Sequence, residues 1–123
     1  GEDFGDTFAV VYREVCPTWP RGEVPAAFYT LPAASSATLV LSGGLDPVTP
    51  PRHGERVAKA LGAKARHVVV ANAGHGVMAL GCMRDVLFRF VDAADDDDAL
   101  KVDAECVMGI PRPPMFALPG AAN

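Results

Sequence analysis

Two short apolar runs, each ending in a glycine turn that carries one chemically useful side chain, constrain this chain more than anything else in it. Leu39-Val40-Leu41-Ser42 runs into Gly43-Gly44-Leu45-Asp46-Pro47, and Val68-Val69-Val70-Ala71 runs into Asn72-Ala73-Gly74-His75-Gly76. Unbroken apolar runs of this length suit strands buried on both faces of a parallel sheet, and the strands are expected over Thr38 to Ser42 and Arg66 to Ala71. Between them lies a helical pattern. Thr49 can cap it and Pro50 can take its first position. Gly54, Val57, Ala58 and Leu61 then share one face, and Gly62 ends it. Strand, helix, strand in this order predicts a right-handed crossover with two parallel strands. Both turns then fall at the carboxyl edge of the sheet, where open α/β folds place their chemistry.

The remaining segments are arranged around this unit. Thr7 to Val15 carries Phe8, Val11, Tyr12 and Val15 at helical spacing, and Pro17 and Pro20 close that helix. Residues 16–37 are rich in proline and small side chains and read as a long irregular connection, unusual within a compact domain. A third helix is predicted from Leu80 to Ala94, with Met83, Val86, Leu87, Phe90 and Val91 on its buried side. The run Asp95-Asp96-Asp97-Asp98 lacks the alternation of a calcium loop and reads as solvated loop. Residues 111–123, with four prolines and no apolar period, read as an irregular tail. Two strands make a poor sheet, so the expectation is an α/β chain holding an incomplete one.

Composition narrows the function classes. The 123 residues fit one domain, and half of them are apolar, enough for a core. A net charge of −4 offers no basic face, which argues against nucleic acid as a partner. No stretch approaches the ~18 uncharged apolar residues that a membrane span requires. The opening Gly1-Glu2-Asp3-Phe4 does not have the character of a signal peptide. Cys16, Cys82 and Cys106 are an odd set without a Cys-x-x-Cys pair, so no zinc or other metal site is expected.

Asp46 and His75 are the candidate catalytic residues. An acid and an imidazole at one sheet edge are two-thirds of a nucleophile–base–orienter relay, and their order matches the Ser, Asp, His order of one hydrolase class. His53, in the first turn of a helix, and His67, at the start of a strand, compete poorly for the role of base. The missing third member is a serine on a sharp elbow, and no Gly-x-Ser-x-Gly occurs among these residues. The chain therefore reads as the back half of an enzyme.

At this point a resemblance becomes specific. The chain resembles the C-terminal, TAP-like region of α/β-hydrolases, as found in serine peptidases of the tripeptidyl-aminopeptidase type. The similarity rests on Cys16-Pro17-Thr18-Trp19-Pro20, on Leu41 to Pro50, on Gly74-His75-Gly76, on Cys82, and on Cys106 followed by Pro111 to Phe116. It implies that residues 1–37 are the end of a cap region and connection. Residues 38–94 would be the strand–helix–strand–helix part of the hydrolase core, and 95–123 an acidic loop and tail. It implies Asp46 as triad acid and His75 as triad base, and a serine nucleophile with its oxyanion donors supplied by the missing N-terminal part of the core. A peptide or a small amide or ester would be the substrate, no cofactor would be needed, and the protein would be secreted or periplasmic. In such a compartment Cys82 and Cys106, which flank the acidic run, are expected to form a disulfide, leaving Cys16 odd. An exposed sheet edge would favour self-association of the chain alone. Two other readings stay open: another α/β-hydrolase, such as an esterase or a dehalogenase-like enzyme, and a non-catalytic binding or assembly module.

Overall fold

The structure, a computed structural model, describes residues 5–114. The chain falls into two compact units, with the boundary between Thr30 and Leu31. In the first, helix α1 (Thr7–Val15) opens on a bond from the Val10 amide to the Asp6 carbonyl and passes into a 3-10 turn over Cys16–Thr18. Pro17 causes that tightening, since it has no N–H to continue an α-helical ladder. The Arg21 guanidinium closes the turn by donating to the Cys16 carbonyl at 2.9 Å. A second 3-10 turn, Ala26–Tyr29, breaks the connection expected to be irregular. No residue of α1 is buried, although its apolar side chains fall at the expected helical spacing.

The second unit carries the sheet. Strand β1 (Thr38–Gly43) pairs in parallel with β2 (Ala65–Val70), in register from Thr38 opposite Ala65 to Gly43 opposite Val70. Helix α2 (Pro51–Leu61) crosses between them and packs on both strands. Its half-buried positions include Gly54, Val57, Ala58 and Leu61, the face read from the sequence. Gly62, at φ 82°, stops it in a conformation that glycine adopts without strain. Leu39, Val40 and Leu41 are only half-buried, and Val69 is exposed, because each strand has a single neighbour among the described residues.

Helix α3 (Met83–Val91) is shorter than its apolar pattern suggested. Gly81 stands at φ 47°, which a right-handed helix excludes, so the helix cannot begin at Leu80. Its inward stripe is Met83, Val86, Leu87 and Phe90. Val91, expected on that side, is 79% exposed, since it lies about 90° round the helix from the stripe's centre. Met83 and Val86 join Val68, Val70, Val77, Val102 and Val107 in the core.

The acidic run is not a loop. Asp95 ends an extended step and its carboxylate accepts from the Asp98 amide at 2.9 Å, capping a short helix, α4 (Asp96–Leu100). Carboxylates in a first helical turn favour the positive end of the helix dipole. Asp96 also pairs with Lys64 at 2.8 Å. The Arg66 guanidinium donates to the carbonyls of Leu100 and Val102, joining β2 to the segment after α4. Cys82 and Cys106 form a disulfide that links the start of α3 to a 3-10 turn over Glu105–Gly109, while Cys16 carries a free, exposed thiol. No helix among the described residues is long and apolar enough to cross a membrane. The opening four residues and the tail from Met115 onward lie outside the described residues.

Candidate active site

The loops after β1 and β2 are joined backbone to backbone. The Gly44 amide donates to the Val70 carbonyl at 2.8 Å and the Leu45 amide to the Ala73 carbonyl at 2.9 Å. Glycine makes this closeness possible, since a Cβ on Gly43 would overlap the Gly74 carbonyl and one on Gly44 the Ala71 carbonyl. The second loop is held from beneath by the buried Ala73 and Val77, and Asn72 Nδ2 donates to the Ile110 carbonyl at 2.9 Å. Asp46 and His75 are thus carried on one stitched pair of loops.

Their side chains meet. Asp46 Oδ2 lies 2.9 Å from His75 Nδ1, with the Asp46 side chain 3% exposed and the His75 ring 67% exposed. Three more donors reach the carboxylate. The Val48 and Thr49 amides donate to Oδ1 at 2.9 and 3.1 Å, and the Thr49 hydroxyl donates to Oδ2 at 2.7 Å. Thr49 Oγ1 is also 3.2 Å from His75 Nδ1. These donors hold the Asp46 carboxyl well below its ordinary value, the Thr49 hydroxyl most strongly, against an opposing push from burial. An ionised carboxylate beside Nδ1 accepts a proton from it, so the open ring nitrogen is Nε2, the one free to act as a base.

Thr49 is the member of this cluster that the sequence concealed. Its position before Pro50 reads as a helix cap, yet Pro50 itself stands at the N-cap of α2 and no side chain caps that end. The Thr49 hydroxyl turns back to Asp46 instead. A hydroxyl three residues after the aspartate of the loop that follows β1 was the available signal.

The other histidines lie elsewhere. His67 Nε2 is 2.9 Å from Ser42 Oγ, and Ser42 is buried. Helix α2 covers that pair at its glycine, where a Cβ on Gly54 would come within 2.6 Å of His67 Nε2. His53 is a half-buried residue of α2. A groove of about 750 Å³ is lined by Asn72, Gly74, Gly76, Leu80, Ile110 and Pro111, among others, but neither Asp46 nor His75 lines it. No cluster of three metal-ligating side chains is gathered among the described residues.

Comparison with known proteins adds a family to this geometry. No curated protein and no solved structure matches the chain. A family model described as TAP-like protein matches residues 2–106. Two parallel strands with flanking helices agree with it. The chain belongs to the TAP-like protein family, as a C-terminal region of the α/β-hydrolase type.

Proposed function

We propose that this chain supplies the base and the orienter of a serine hydrolase, with His75 as base and Asp46 as orienter. The observation that carries the reading is the 2.9 Å contact between a buried, four-donor carboxylate and an exposed imidazole. His75 Nε2 would take the proton of a serine hydroxyl as its oxygen attacks a carbonyl carbon. It would return that proton to the leaving amine or alcohol as the carbonyl bond to it breaks. Asp46 would keep the proton on Nδ1 and stabilise the imidazolium that forms between the two steps. The serine and the oxyanion donors come, in this reading, from a segment outside the chain.

For the substrate class the reading rests on the resemblance to peptidases of the tripeptidyl-aminopeptidase type. We take it to be a short peptide cleaved near its N-terminus, or a related small amide or ester, and no cofactor enters the chemistry. Export is consistent with the Cys82–Cys106 bond, because disulfides persist in oxidising compartments.

The test is turnover of peptide anilides and p-nitrophenyl esters by the natural full-length polypeptide, together with fluorophosphonate labelling. His75→Gln should abolish rapid labelling. Asp46→Asn should lower kcat by on the order of ten-thousandfold with little change in KM. Labelling that survives His75→Gln would assign the base to another residue, and a wild-type polypeptide that takes no label would support a binding module instead. A loss confined to KM would assign Asp46 to substrate binding.

A further inference from the structure

We infer that Thr49 is a positioning residue for the His75 ring, clamping it through the side-chain hydroxyl; this rests on reading His75 as the base and Asp46 as its orienter. The His75 ring is 67% exposed, so packing does little to fix its plane. A single hydrogen bond at Nδ1 leaves such a ring free to swing about that contact. Two oxygens, however, face Nδ1: Asp46 Oδ2 at 2.9 Å and Thr49 Oγ1 at 3.2 Å. The hydroxyl has one proton, and it goes to Asp46 Oδ2 at 2.7 Å. Its oxygen then presents lone pairs to the ring, so Nδ1–H is shared between two acceptors that are themselves bonded to each other. The three groups close a small ring of contacts, and a change in the plane of the imidazole opens it.

The backbone prepares this clamp. Asp46 precedes Pro47 and Thr49 precedes Pro50, and residues before proline are restricted to extended conformations. Much of the entropy of ordering the Asp46–Thr49 turn is therefore already removed in the unfolded chain. The Thr49 amide donates to Oδ1 independently of the side chain. Removal of the hydroxyl thus tests the clamp without undoing the turn.

The experiment is proton NMR of the 123-residue chain in water, following the imidazole Nδ1–H resonance of His75, which is visible only when that proton is held from exchange. Wild type should show it and Asp46→Asn should not. Thr49→Val should lose or broaden it, and Thr49→Ser, which restores the hydroxyl, should recover it. In the natural full-length polypeptide, Thr49→Val should lower kcat by on the order of tenfold with KM unchanged, and Thr49→Ser should restore it. Amide spectra report whether each variant folds, and Thr49→Ala replaces the valine variant if that one does not. A resonance lost in Asp46→Asn but unchanged in Thr49→Val overturns the clamp and leaves the base–orienter reading standing. A resonance absent from wild type overturns the clamp, and one that is present but indifferent to Asp46→Asn overturns both.

Discussion

Four donors converge on the Asp46 carboxylate, and each favours its ionised form. The folded-state pKa lies below the ordinary 3.8, so the stability this group contributes is fully present above that value and is lost as pH falls below it. Urea midpoints measured from about pH 5 down to about pH 2 should therefore fall more steeply for wild type than for Asp46→Asn. Equal slopes would show that the carboxylate is not held this way. The glycines beneath it give a second prediction. Gly43→Ala would force the His75 loop away from β1, at roughly 1–3 kcal/mol. Its thermal midpoint should drop, and the Nδ1–H signal of His75 should vanish with it. Asp46 and His75 were legible in the sequence because an apolar run ending in glycine announces where a side chain will be delivered. Thr49 was not, because a threonine before proline at a helix start has the same appearance whether it caps the helix or turns back to a carboxylate.

Among the elements, the stretch from α3 to the 3-10 turn at Glu105–Gly109 depends on devices that periodicity does not display. The Cys82–Cys106 bond closes a loop with a sequence separation of 24, and such a loop contributes roughly 3 kcal/mol by restricting the unfolded chain. Cys82→Ser with Cys106→Ser should lower the unfolding free energy by about that amount in urea, with the Lys64–Asp96 pair intact. A change near zero would mean that the unfolded chain is already compact here. Within that loop, the cap on α4 was hidden inside a run of identical charges. Four aspartates in sequence suggest solvation, and only the geometry shows the first accepting from the amide three residues on. The end of α3 was hidden in another way, since Val91 continues the apolar pattern but falls off the buried stripe. By contrast β1, α2 and β2 were read nearly to the residue. Their pattern, cap glycine and turns all agree, which is the condition under which local sequence determines structure.

At the scale of the whole molecule, the positions of the serines decide what this chain can do by itself. Ser35 and Ser36 precede β1, so they lie at the amino end of the sheet, roughly 20 Å of strand away from the loop that carries Asp46. Ser42 is nearer in sequence, but it is buried and its hydroxyl is engaged with His67, beneath α2. None of the three is aligned with His75 Nε2. A general base without an aligned nucleophile or oxyanion donors forfeits most of the gain that proximity and electrostatic preorganisation supply. The purified 123-residue chain should therefore show no turnover of p-nitrophenyl esters or peptide anilides above an equal concentration of imidazole, and no serine labelled by fluorophosphonate. With one strand neighbour each among the described residues, β1 and β2 leave edges that should also favour self-association, visible as a concentration-dependent mass in sedimentation. Labelling of Ser42 with turnover lost in Ser42→Ala would place the nucleophile within this chain. It would also require α2 to lift from the sheet, because the Ser42 hydroxyl reaches no substrate while Gly54 covers it.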